Sequence, residues 1–96
     1  MENSNNEQYV YLLVVRTFGR DKTTLTHDVT PFNSLDAVND AVLDMLTHDI
    51  KFNKGDVDFV SYTPRDKVES GYTPCGNIYF KSGLEKKYTV LLRKIQ

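Results

Sequence analysis

One thiol and two imidazoles in this 96-residue sequence, Cys75, His27 and His48, could in principle supply a cysteine-histidine pair for nucleophilic chemistry. A cysteine nucleophile needs a base beside it, and histidine most often supplies that base. Nothing in the sequence brings either histidine to Cys75. The thiol lies in the turn-like segment 74–77, without a helix N-terminus or a flanking base to activate it. The sequence therefore predicts an incidental thiol, no catalytic residue and a protein that is not an enzyme.

Two His-Asp dipeptides, at 27–28 and 48–49, raise the question of a metal site. Neighbouring side chains of a strand point to opposite faces, so the first pair cannot easily hold one ion. A structural zinc site uses four Cys or His ligands, whereas the chain has three such residues in total. The glycines form no phosphate-binding loop and stand singly at positions 19, 55, 71, 76 and 83. We therefore expect neither a metal site nor a cofactor.

Acidic residues are concentrated in the middle of the chain. Residues 36–69 carry eight acidic and four basic groups, a sum of −4, although the whole chain has a net charge of −1. Within this stretch Asp36, Asp40 and Asp44 repeat every four residues, so they lie on one face of a helix. One interpretation is a solvated outer face. The other is an acidic ridge that the protein presents to a basic partner.

Basic and aromatic residues alternate near the C-terminus. Residues 70–96 carry five basic groups and one acidic group, a sum of +4. The candidate surface consists of Lys81, Lys86, Lys87, Arg93, Tyr79 and Tyr88. Aromatic rings beside cations on a sheet can stack nucleic-acid bases. Protection of strand edges by lysine is the favoured interpretation, because alternate residues of these strands must fill the core.

Length and composition limit the class of protein. Ninety-six residues suit one domain, and we expect it to span 9–96 behind a flexible polar tail, 1–8. A near-neutral balance argues against a general nucleic-acid coat protein. The longest run of apolar residues and tyrosine, 9–15, is far shorter than the ~20 residues of a membrane helix. With no signal segment and a single cysteine, the chain is expected to be cytoplasmic, without a membrane partner.

Periodicity predicts the elements that must position these residues. The predicted strands are 9–18, 23–30, 56–62, 77–81 and 87–95. Apolar residues at helical spacing predict an amphipathic helix from Leu35 to about His48, with Asn33 or Ser34 as its N-cap. The order β-β-α-β-β-β predicts an α+β fold in two layers. Its sheet would be four- or five-stranded, mainly antiparallel, and packed under one helix.

One helix cannot cover both faces of such a sheet. Strand 9–18 is apolar on both of its faces, whereas a helix of about fourteen residues shields about two strands. The second face could be covered by the long connection 63–76, by curling of the sheet or by a second chain. We therefore expect a weak homodimer or a sheet-face partner site built on Tyr9, Tyr11, Leu13 and their neighbours.

Together these patterns favour a small protein–protein interaction module whose acidic helix face meets a basic partner. The alternative is a nucleic-acid or nucleotide-binding domain that uses the basic, aromatic C-terminal strands. In size and layout the chain resembles many short proteins of bacteria, phages and mobile elements. That resemblance favours an inhibitor or adaptor of a larger system, and since no motif carries it, it assigns no residue a role.

Overall fold

The computed structural model describes residues 8–63 and 75–95, which form one α-helix and five strands. In chain order these are β1 (Gln8–Phe18), β2 (Thr24–Phe32), α1 (Leu35–Phe52), β3 (Val57–Tyr62), β4 (Gly76–Phe80) and β5 (Glu85–Ile95). The predicted α+β architecture is confirmed. Of the expected polar tail, residues 1–7 lie outside the described residues, as do residues 64–74 of the long connection. Gln8 is already the first residue of β1.

The five strands form one antiparallel sheet in the order β2-β1-β5-β4-β3. β1 pairs with β2 on one side and with β5 on the other, and the pairing with β5 runs from Gln8↔Ile95 to Phe18↔Glu85. A strand that is apolar on both faces belongs inside a sheet rather than at its edge, because an exposed apolar edge invites pairing with other chains.

The helix begins at the predicted cap. The Ser34 side chain accepts a hydrogen bond from the backbone N–H of Ala37, and Asp36 lies in the first turn, where the helix dipole favours negative charge. The helix continues to Phe52 rather than ending near His48. Ile50 extends the apolar side by one more turn and packs against the core. The C-cap residue is Asn53, whose backbone N–H donates to Asp49 O.

The core lies between α1 and one face of the sheet. Its buried side chains come from β1, α1, β4 and β5, and they are Leu13, Val15, Val38, Val42, Leu46, Ile78, Tyr88 and Val90. Val60 of β3 and Phe32 at the end of β2 pack against them, partly buried. The helix does not cover the rest of β2, so residues 24–31 are all exposed.

Strand β2 differs from its prediction in two ways. The alternation of Leu25, His27 and Val29 with polar residues predicts a half-buried strand, but all three are exposed, since this side of β2 faces away from α1. The strand also continues through Pro31 to Phe32 instead of ending at Thr30. Proline cannot donate a ladder hydrogen bond, and an edge strand such as β2 tolerates it.

The side chain of Asp21 stabilises the turn between β1 and β2. The Asp21 carboxylate accepts hydrogen bonds from the hydroxyl of Thr23 at 2.6 Å and from its backbone N–H at 3.2 Å. These bonds, the hydroxyl first, lower the pKa of Asp21 below its usual value. At the same end of the molecule, Gly83 has a φ of +96°, and a Cβ there would lie 2.6 Å from Cγ of Arg20. Glycine therefore fits position 83, because the backbone has a positive φ and the Arg20 side chain lies where a Cβ would be.

Candidate interaction surfaces

The three aspartates Asp36, Asp40 and Asp44 are exposed on the outer side of α1. We call them the acidic ridge. Val38 and Val42 lie on the opposite side of the same turns and are buried in the core. The spacing of four residues therefore does place the carboxylates together on the solvent side, as the sequence predicts.

A groove of about 820 Å³ lies between the second half of α1 and the exposed part of β2. Asp28 lines it from β2, and Asp44 and His48 line it from the helix. Threonines 17, 26 and 30 supply hydroxyl groups along the strand side. The groove thus continues the acidic ridge toward the edge of the sheet.

Asp49, on the inner flank of α1, ties the helix to β5. Its Oδ2 atom accepts a hydrogen bond from the Tyr88 hydroxyl and lies 2.8 Å from the Lys86 ammonium nitrogen. The same ammonium lies 5.7 Å from the centre of the Tyr88 ring. A carboxylate engaged in this way stabilises packing and is not available to an outside ligand.

The sheet divides the six residues of the predicted basic, aromatic surface. Tyr88 is fully buried, and Lys86 is engaged with the helix, so neither can contact a nucleic acid through its ring or charge. Tyr79, Lys87 and Arg93 lie on the opposite face of the sheet, because they alternate with residues that face α1. Lys81 lies in the turn after β4, where its backbone N–H donates to Asp56 O at 2.7 Å.

The face of the sheet turned away from α1 is not covered by any described helix or strand. We call it the open face, and it consists of Val10, Leu12, Val14 and Arg16 of β1 with their register partners on β2 and β5. It continues across the sheet to Tyr79 and Phe59, whose ring centres lie 5.8 Å apart.

The sheet-face site predicted on Tyr9, Tyr11 and Leu13 is on the wrong side of β1. Leu13 is 0% exposed and Tyr11 packs against the core under the helix, so the alternate residues of the strand form the open face. Both alternating sets of β1 are apolar, and the sequence alone does not show which set the helix covers. The cationic residue that sequence reasoning missed is Arg16. The sequence does show that Arg16 follows Leu12 and Val14 at intervals of two residues, which places the three side chains on the same face of the strand.

The sulfur and imidazole groups are not assembled into a catalytic site in the described part of the chain. The Cys75 sulfur lies 3.0 Å from the Thr63 hydroxyl oxygen, between the ends of β3 and β4. His27 is on β2, whereas His48 packs its ring 4.8 Å from that of Phe52 on α1. Among residues 8–63 and 75–95, no three Cys, His, Asp or Glu side chains form a group that could hold a metal ion.

Comparison with known proteins finds no match to this chain among family models, curated proteins or solved structures. Within the described residues, no helix is long and apolar enough to cross a membrane. The surfaces described above are therefore the basis for assigning a function.

Proposed function

We propose that this chain is a non-enzymatic protein–protein interaction module, an adaptor or inhibitor that presents the acidic ridge to a basic surface of its partner. The observation that carries the proposal is the position of the ridge. Asp36 and Asp44 are exposed on the side of α1 opposite the core, and neither forms a salt bridge with a described residue. Their charges are available to another molecule.

The ridge contributes little to helix stability. Aspartate is a poor helix former, and like charges four residues apart cost about 0.2–0.5 kcal/mol per pair. Asp36 offsets this through the helix dipole, whose effect is confined to the first turn. Asp44 lies beyond that turn. A carboxylate that the fold does not need is better explained by binding, where a patch of one sign steers a partner of the opposite sign and fixes its orientation.

Of the six residues predicted for the alternative function, binding of nucleic acid, Tyr79, Lys87 and Arg93 lie on the open face, where Arg16 joins them. The other members of that candidate surface are Tyr88, which fills the core, Lys86, which is engaged with Asp49, and Lys81, which lies in a turn. Retention of single- or double-stranded DNA or RNA on a filter at low salt is the direct test. We expect no retention.

The ridge is tested by capturing partners from the native host with the chain as bait. Combining Asp36→Lys, Asp40→Lys and Asp44→Lys should reduce the captured protein at least tenfold, because attraction becomes repulsion. The single change Asp44→Lys should reduce it several-fold. Asp58→Lys on β3 is the matched control for Asp44→Lys, since it alters net charge by the same amount at an exposed site off the ridge, and it should capture the same amount as the parent.

Circular dichroism and thermal unfolding of each variant separate lost binding from lost folding. Exposed helix changes cost within about 0.5 kcal/mol each, and Asp36→Lys costs a further ~0.3–1 kcal/mol through the helix dipole. A folded triple variant that captures the same proteins in the same amounts as the parent would show that the ridge is a solvated face. The proposal would then be wrong.

A further inference from the structure

An apolar strip runs along the middle of the open face. Val14 of β1 pairs with Val29 of β2, and Leu12 pairs with Leu91 of β5. Val14 is buried among its neighbours although it is not part of the core cluster, and Val29 is 51% exposed. The strip spans three strands that are ~4.8 Å apart, so its width is about 10 Å, the diameter of a helix.

Cations flank this strip at both ends. Arg16 stands in register between His27 on β2 and Lys87 on β5, which places a basic row across one end. Arg93 pairs with Val10 and marks the other end. Six residues separate Arg16 from Val10 along β1, a distance of roughly 20 Å.

Among the described residues, this positive charge is not balanced within the face. Neither Arg16 nor Lys87 forms a salt bridge with a described residue. Glu85 is the acidic residue that β5 contributes to the open face, and its carboxylate already accepts a hydrogen bond from the Asn77 side chain at 2.7 Å. Lys22 adds a further cation 3.8 Å from the same carboxylate. The open face is therefore an apolar strip with basic ends.

From this arrangement we infer that the open face is a docking surface for an acidic amphipathic helix of another protein. The apolar side of the helix lies along β1 on Leu12 and Leu91, beside the exposed Val29. Carboxylates near its two ends, about 13 residues apart at a rise of ~1.5 Å per residue, meet Arg16 with Lys87 and Arg93. This surface is separate from the acidic ridge, on the other side of the molecule.

Charge argues against a second copy of this chain as the occupant. Two open faces packed on each other would bring basic rows together, which like-charge repulsion disfavours. The ridge of a second copy has the required negative charge. However, the apolar side of that helix is already buried in its own core, so it offers no stripe for Leu12 and Leu91.

The test uses fluorescein-labelled 18-residue peptides and fluorescence anisotropy with the full chain. The first peptide has a leucine stripe and glutamates near both ends. The second has lysine in place of each glutamate, and the third keeps the glutamates but has serine in place of leucine. We expect binding of the first peptide alone, weakening as salt is raised. Combining Arg16→Gln and Lys87→Gln should raise its Kd about tenfold, whereas the matched control, Lys51→Gln with Lys81→Gln, should leave it unchanged.

Other occupants of the open face would be visible in the same set of proteins. Equal binding of the lysine peptide, or an unchanged Kd for the Arg16→Gln and Lys87→Gln variant, would overturn the inference. Binding of a 15-nucleotide single-stranded RNA that depends on the same two residues, without peptide binding, would assign the face to nucleic acid. A dimer in sedimentation at micromolar concentration that Val29→Glu abolishes would assign it to a second copy. Ridge variants should bind the first peptide at least as tightly as the parent.

Discussion

At the scale of single residues, the contact that most clearly joins the two layers is the one between Tyr88 and Asp49. The Tyr88 ring is 0% exposed, and its hydroxyl donates to a carboxylate that also pairs with Lys86. The alternation of cations and aromatic rings in the sequence predicts that Tyr88 and Lys86 lie on a binding surface. In the fold, the register of β5 turns both side chains toward α1, and no pattern within β5 alone could reveal which face the helix covers.

Because of this contact, we expect Tyr88→Phe to lower the free energy of unfolding more than Tyr79→Phe does. Tyr88→Phe keeps the ring in the core but leaves Asp49 without its hydroxyl donor, so the free energy of unfolding should fall by about 1–2 kcal/mol. Tyr79→Phe, at a half-exposed position of β4, should change it by less than about 0.5 kcal/mol. Urea unfolding followed by circular dichroism measures both. Equal effects would mean that the Tyr88 hydroxyl does not stabilise the packing of α1 on β5.

At the scale of elements, the sequence predicts the strands and the helix whose formation depends on hydrophobic periodicity. Strand β1, which is apolar on both faces, and the helix with its Ser34 cap are predictable from the sequence. The strand follows from its run of apolar residues, and the helix follows from its apolar spacing and its cap. The exposure of β2 is not predictable, because burial of a strand depends on how far the helix reaches across the sheet. The helix covers β1, β5 and β4 and leaves β2 as an exposed edge.

The packing of α1 predicts that truncation of Leu46 lowers the free energy of unfolding more than truncation of its neighbour Met45. Leu46 is 3% exposed and lies in the core, so Leu46→Ala should lower the free energy of unfolding by about 2–5 kcal/mol. Met45 is 38% exposed beside it, and Met45→Ala should cost less than about 1 kcal/mol. Thermal or urea unfolding of the two variants measures both losses. A larger loss for Met45→Ala would place the apolar side of the helix elsewhere.

At the scale of the whole molecule, a net charge of −1 conceals two surfaces of opposite sign. The acidic ridge lies on the outer side of α1, and Arg16, Lys87 and Arg93 lie on the far side of the sheet. Such a separation gives the molecule a preferred orientation when it meets a charged partner. The two surfaces are on opposite sides, so both could be occupied at once, as an adaptor requires.

Carboxyl labelling of the chain in complex with its captured partner tests the proposed function most directly. Carbodiimide couples an added amine to exposed aspartates, and mass spectrometry then reports the labelling of each site with and without the partner. We predict that labelling of Asp36 and Asp44 falls several-fold in the complex while that of Asp58 is unchanged. Equal labelling of the ridge in the free and bound chain, with the partner still attached, would contradict it.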